Sequence, residues 1–268
     1  MTWLLALGLF AMMAAVPVLV VEHTARTAHS DIVVIGSSMM AYAVPATGQG
    51  ATSLLGDQRS HRRIAANRMT ENDLIANLEQ AISQHTALVF IEVNPLLVDF
   101  ADQLRQRPCD GLRPLIKNYL VAERRRVPEA FAQLAGLPLT YGFAGDPANL
   151  ESKHAITDAV IRRIYPFTVR EPCYEQELAS AVARAKAQGT VVILVLPPRS
   201  ADADLLLGSK LTSQLRDRAM ALAGRLEVPI FVIDGNWPNE EFVDAGHLNG
   251  IGRAHFLRVL RQKWASTQ

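Results

Sequence analysis

Charge is missing from the first 21 residues of this chain, cysteine occurs only twice in its 268 residues, and lysine only five times. Two cysteines exclude a scaffold held together by disulfides. The 27 basic residues nearly balance the 26 acidic ones, for a formal net charge of +1. That balance argues against a nucleic-acid binder held by phosphate contacts. The predominance of arginine over lysine says more about genome composition than about partners. No glycine-rich phosphate loop or nucleotide fingerprint is present. His23, His29, His61, His85, His154 and His255 show no metal-ligand spacing, so neither a cofactor nor a metal is expected. What the chain does have is 49% hydrophobic residues, enough to exclude disorder. A chain of this length suits one α/β domain or two small ones.

The uncharged start is a distinct segment. Trp3 to Val21 is a run of 19 uncharged residues, which as a helix covers about 28 Å of the ~30 Å hydrocarbon layer. Pro17 is tolerable there, because a bilayer leaves the backbone no better option than a kinked helix. A cleaved signal peptide and a buried core helix are the competing readings. A signal peptide would carry a basic n-region and a small-residue cleavage site. This leader has no Lys or Arg, and Ala25 and Ala28 make a poor site. The expectation is an uncleaved single-pass anchor at 1–22 and a linker at 23–30. Arg26 mildly favours a cytoplasmic domain, but large domains translocate largely regardless of charge.

The rest reads as one domain, 31–268. Ile32 to Ile35 and Ala87 to Val93 are short β-branched or apolar runs of the kind found in buried parallel strands. Thr190 to Leu196 and Val228 to Ile233 are two more, and a weaker strand is expected near Arg63 to Ala66. Thr70-Glu71-Asn72-Asp73 is a capping box, and Leu74, Ile75, Leu78, Ala81 and Ile82 form the apolar stripe of the helix after it. Helical patterns follow at 97–107, 113–135, 153–164, 174–188, 209–223 and 250–264. Alternating strands and helices predict an α/β fold with a doubly wound, mostly parallel five-stranded sheet. The long helical stretch between strands, 98–172, reads as an insertion.

Ligands of such sheets bind beyond the carboxyl ends of the strands, and four ends carry suggestive chemistry. They are Gly36-Ser37-Ser38, Asn94, Arg199-Ser200, and the loop Asp244-Ala245-Gly246-His247. Nucleophilic catalysis needs a hydroxyl, a base, a carboxylate to orient the base, and donors for an oxyanion. Ser38, His247, Asp244 and Asn94 supply those four roles, and Asp and His three apart can share one loop. Each also has a bland reading. Ser38 can be a turn residue, Asp244 a helix cap, Asn94 the start of a turn before Pro95, and Arg199 a solvated loop charge. Arg124-Arg125-Arg126 reads as a solvated helix face.

Taken in order, these blocks resemble the SGNH, or GDSL-like, hydrolase superfamily. Ser38 stands where the family has the Ser of Gly-Asp-Ser, with Ser37 replacing the Asp. Asn94, in Glu92-Val93-Asn94-Pro95, stands where the family has the Asn of Gly-x-Asn-Asp. Asp244 and His247 match the late Asp-x-x-His. Aligning Asn67-Arg68-Met69-Thr70 with the usual Ser-Gly-Ala-Thr puts Arg68 in place of a glycine. The resemblance implies Ser38, Asp244 and His247 as the catalytic residues. It implies an oxyanion hole of Ser38, Asn94 and Arg68, and Ser37 and Arg199 are taken as substrate-binding. Cys109 and Cys173 bracket the insertion, and outside the cytoplasm a disulfide between them would staple it.

The Gly-Ser-Ser variant together with a leader is similar to envelope SGNH proteins that work in acyl transfer to surface polymers, beside a membrane-bound O-acyltransferase partner. The expectation is therefore a serine-dependent O-acyl, chiefly acetyl, transferase or esterase. It would act on a bacterial cell-envelope polysaccharide from the periplasmic face of the inner membrane. The alternative is a catalytically silent SGNH-like module that binds glycan or scaffolds an acyltransferase complex.

Overall fold

Five of the apolar runs lie side by side in one sheet. The computed structural model describes residues 29–48, 52–65, 69–100, 167–233 and 237–268. The leader at 1–22, Arg68, Cys109 and most of the expected insertion lie outside them. Among the described residues no helix is long and apolar enough to cross a membrane.

The strands are β1 (Ile32–Gly36), β2 (Thr47–Gly48), β3 (His61–Ala65), β4 (Leu88–Glu92), β5 (Val98–Phe100), β6 (Phe167–Val169), β7 (Val191–Leu196) and β8 (Ile230–Val232). The helices are α1 (Ser38–Ala43), α2 (Glu71–Ser83), α3 (Asn94–Leu97), α4 (Glu175–Ala187), α5 (Ala201–Leu207), α6 (Ser209–Leu226) and α7 (Gly250–Ala265). The main sheet runs β2-β3-β1-β4-β7-β8. Its last five strands are parallel, and β2 is antiparallel to β3 at the edge. In chain order the parallel strands read 2-1-3-4-5, so the winding direction switches between β1 and β4.

The alternation along each strand builds two cores. Val33, Ile35, Val89, Ile91, Val192 and Leu194 point to one face, where they meet α2, α4 and α6 through Leu74, Leu78, Leu178, Val182, Leu215 and Leu222. Ile32, Val34, Leu88, Phe90, Ile193 and Val195 point to the other, toward Met40 of α1 and Phe256 and Leu260 of α7. Strands covered on both faces are why these runs read as continuously apolar. The capping box at Thr70 forms: its Oγ1 accepts from the Asp73 N–H, and the Asp73 side chain accepts from the Thr70 N–H.

Two local expectations are corrected, and one helix is added that the sequence reading did not include. The sheet has six strands rather than five, because the two-residue β2 is too short to show any period. No helix begins at 97. Asn94–Leu97 makes one turn and the chain then enters β5, which pairs antiparallel with β6 in a separate two-stranded ribbon. That pairing joins residues about 70 apart, so no local pattern announces it. Finally, α5 forms directly after β7, with Ser200 as its N-cap accepting from the Ala203 N–H. The weak strand near Arg63 is real, and its weakness has a cause. Arg62 and Arg63 are buried within β3, and Arg63 donates to the Ala41 and Val44 carbonyls.

The ribbon is pinned to the sheet domain beside the site. Arg170, next to β6, forms ion pairs with Asp99 at 2.9 Å and with Glu71 of α2 at 3.1 Å. Glu71 also accepts the backbone N–H groups of Cys173 and Tyr174.

Candidate active site

The switch point between β1 and β4 collects the residues singled out by the sequence. After β1 the chain turns at Gly36 into α1, and Ser38 is the first residue of that helix. Gly36 has no room for a side chain, since a Cβ there would lie 2.5 Å from Met40 Cγ and 2.6 Å from Glu92 Oε2. The turn can therefore be tight, and it presents Ser38 at the carboxyl end of the central strand β1. Ser37 is the N-cap, its Oγ accepting from the Met39 N–H.

The far end of α1 is held by two cations. Arg253 of α7 donates to the Tyr42 carbonyl at 2.8 Å and to the Ala41 carbonyl at 3.2 Å, and Arg63 takes Ala41 and Val44. These guanidiniums satisfy carbonyls that a short helix leaves open, and they place positive charge at its negative end.

Asp244 and His247 share a tight loop between the end of the sheet and α7. The Val243 N–H donates to the His247 carbonyl at 2.7 Å, and Phe242 bridges Leu248. Inside the loop Asp244 Oδ1 accepts the N–H groups of Gly246 and His247 at 3.0 and 2.9 Å. Asp244 Oδ2 lies 2.7 Å from His247 Nδ1, and His247 Nε2 lies 2.8 Å from Ser38 Oγ. The residue that caps α7 is Asn249, whose Oδ1 accepts from Ile251 and Gly252, so Asp244 is not spent as a helix cap.

Burial would push the Asp244 carboxyl up, but the hydrogen bond and charge of His247, with the two loop N–H groups, hold it down at about 2. An ionised Asp244 can only accept, so Nδ1 of His247 carries the ring proton and donates. In the neutral form of the ring, Nε2 is then the acceptor for the Ser38 hydroxyl. The Tyr42 ring covers the imidazole, with centroids 4.6 Å apart at a 42° tilt. Ser38, His247 and Asp244 are thus joined in one continuous hydrogen-bonded chain, the arrangement that a nucleophile, its base and an orienting carboxylate require.

Asn94 is buried at the start of α3, on the other side of the switch point. Its Nδ2 donates to Glu92 Oε1 at 2.8 Å and lies 3.1 Å from Met39 Sδ. Its Oδ1 accepts from an Arg199 NH2 group at 3.2 Å. Arg199 is itself buried and lies over the Phe167 ring at 5.1 Å, so it is not a solvated loop charge. The Ser37 hydroxyl donates to Glu92 Oε1 at 2.8 Å, and the Ser37 N–H donates to Glu92 Oε2 at 2.6 Å. Arg68 lies outside the described residues. Cys173 is disulfide-bonded, and Cys109 lies outside the described residues.

Two residues here were not singled out from the sequence. Glu92 is fully buried at the end of β4. Burial pushes its carboxyl up, and the hydrogen bonds from Ser37 and Asn94 and the charge of Arg199 only partly oppose this. Its signal was a charge within an otherwise apolar strand run, which is rarely buried without partners. Tyr42 is four residues beyond Ser38 on the same helix, the spacing that places two side chains on one face.

No protein-family model and no curated protein matches this sequence. Among solved structures, the chain is similar to a GDSL-like lipase from Bacteroides thetaiotaomicron at 14% identity and a TM-score of 0.42, covering 88% of each chain. It is also similar to a catalytic mutant of an acetylxylan esterase from Geobacillus stearothermophilus at 13% identity and a TM-score of 0.40, covering 88% of this chain and 92% of that one.

Proposed function

We propose that this chain is a serine-dependent enzyme of acyl esters, working through an acyl-serine. The observation that carries the reading is the continuous hydrogen-bonded path Asp244–His247–Ser38, with links of 2.7 and 2.8 Å. His247 Nε2 takes the Ser38 proton as Oγ bonds to the ester carbonyl carbon. Asp244 holds the ring and stabilises the imidazolium. The negative charge on the former carbonyl oxygen is met by the Asn94 amide and the Ser38 backbone N–H, with Arg68 as the third member of the hole. As the carbon–oxygen bond breaks, the imidazolium returns the proton to the leaving alcohol, which leaves the acyl group on Ser38. A second hydroxyl, from water or a sugar, then loses its proton to His247 and attacks the acyl carbon, and the imidazolium returns that proton to Ser38 Oγ as the acyl–oxygen bond breaks.

The finer reading is an O-acetyl transferase or esterase of a cell-envelope polysaccharide, held at the membrane by the leader. Its support is the Gly-Ser-Ser variant and the 19 uncharged residues from Trp3 to Val21. The eight-residue link reaches roughly 26–29 Å when extended, so the leader would keep Ser38 near the surface where an acyl donor is delivered. The domain would then lie on the periplasmic side, and a membrane-bound O-acyltransferase would be its donor.

Labelling with a serine-directed fluorophosphonate tests the reading. The wild-type protein is expected to be labelled and to hydrolyse p-nitrophenyl acetate, and Ser38→Ala to do neither. An unlabelled wild type that still binds glycan would instead be the silent module. Added acetylated and unacetylated oligosaccharides then separate the two fates of the acyl group. Transfer gives acetylated sugar, and hydrolysis gives free acetate.

A further inference from the structure

Asn94 is gripped at both ends of its amide, and the two grips have opposite chemistry. Glu92 Oε1 takes a hydrogen bond from Nδ2, and Arg199 gives one to Oδ1. A guanidinium can only donate, and Glu92 Oε1 already receives one N–H from Asn94. An amide turned over by 180° would set Nδ2 against the Arg199 donor and Oδ1 against a carboxylate oxygen. Both contacts would be repulsive. All three side chains are buried, with Glu92 at 0%, Asn94 at 3% and Arg199 at 8% exposure, so water cannot relieve a wrong orientation. The same Glu92 carboxylate receives the N–H and hydroxyl of Ser37, the residue before the nucleophile.

Resting on the acyl-serine reading above, we propose that Glu92 and Arg199 are positioning residues that fix the Asn94 amide with its nitrogen end toward the oxyanion. Through Ser37, Glu92 also ties that amide to the turn carrying Ser38. Donor and nucleophile are thereby held in one frame, through a carboxylate that never touches substrate. One Nδ2 hydrogen is taken by Glu92, and the other, now beside Met39 Sδ, is the one that meets the developing charge. Arg199, taken from the sequence as a substrate-binding side chain, instead acts on substrate through Asn94.

Glu92→Gln is the informative substitution, because it keeps the volume and loses one acceptor. Whichever way the new amide turns, its NH2 faces either the Ser37 N–H or the Asn94 Nδ2, donor against donor. Arg199→Met is the second variant, removing the grip on Oδ1 while keeping an unbranched chain over Phe167. Both are compared with wild type in p-nitrophenyl acetate turnover, alone and on an Asn94→Ala background. Each single variant is expected to lose about 10- to 100-fold in kcat with KM little changed, and each is expected to lose under about twofold further when Asn94 is already alanine. A merely structural role would cost as much on the Asn94→Ala background as on wild type, and that result overturns the proposal. Wild-type kcat in either single variant overturns it as well.

Hydrogen exchange of the Asn94 side-chain amide, followed by NMR, reads the clamp without turnover. Faster exchange is expected in both variants, and unchanged exchange overturns the clamp. A wild type that neither turns over ester nor takes the fluorophosphonate sinks the acyl-serine reading instead, and the exchange measurement still decides whether the clamp exists.

Discussion

His247 Nε2 stands 2.8 Å from Ser38 Oγ although 209 residues separate them in sequence. The two come from opposite ends of the domain, one from the turn after the first strand and the other from the loop before the last helix. Their meeting sets the first expectation. Ser38→Ala is expected to lower hydrolysis of an activated acyl ester by about 10³-fold or more, while the melting temperature stays close to wild type. Turnover equal to wild type would remove Ser38 as nucleophile.

The second concerns acid. Asp244 is held at about 2, below the roughly 3.9 of an unfolded aspartate. A depressed carboxylate contributes stability above its unfolded value and loses it as the pH falls through the folded one. The contribution is therefore complete above about pH 5 and fades toward pH 2, and it is worth about 2 kcal/mol. Asp244→Asn cannot titrate. In denaturant melts, the stability gap between wild type and this variant is expected to close between pH 5 and pH 2. A gap that stays constant over that range would contradict the assignment. At neutral pH the same variant is expected to lose about 10³- to 10⁴-fold in kcat, because the imidazole loses the acceptor that fixes its tautomer.

Gly36 is the third. The Cβ of an alanine there would sit 2.5 Å from Met40 Cγ and 2.6 Å from Glu92 Oε2. Neither can withdraw freely, since Met40 is 1% and Glu92 0% exposed. Gly36→Ala is expected to cost about 1–3 kcal/mol in urea melts and to reduce activity more than a remote substitution of equal cost. A variant as stable and as active as wild type would mean that the turn has slack.

Arg253 is the fourth. Arg253→Met leaves the Tyr42 carbonyl without its 2.8 Å donor at the end of the helix that begins with Ser38. Unfolding measurements are expected to show a loss of about 1–3 kcal/mol, with a lower kcat as α1 loosens. An unchanged kcat would show that Arg63 alone holds the helix.

Much of this architecture was legible in the residues, for a physical reason. A strand buried on both faces must be apolar throughout, and a helix on a sheet must carry a stripe, so β1, β4, β7, α2, α4, α6 and α7 announced themselves locally. Ser38, Asn94, Asp244 and His247 could be singled out because strand ends are where a parallel sheet exposes chemistry. Features that depend on a distant partner were not legible. β5 becomes a strand only by meeting β6. Arg199 is buried where it meets Asn94 and Phe167, both distant from it in sequence. Glu92 looked like the tail of a strand until Ser37 and Asn94 closed around it.

The sequence by itself therefore determined the element order, the strand ends and the residue types gathered there, since periodicity and turn chemistry are local. Tertiary structure alone decided the strand order 2-1-3-4-5 and, with it, which strand ends share a crevice. It also brought His247 to Ser38 and Arg199 to Asn94, contacts set by long-range packing that no window of neighbouring residues contains.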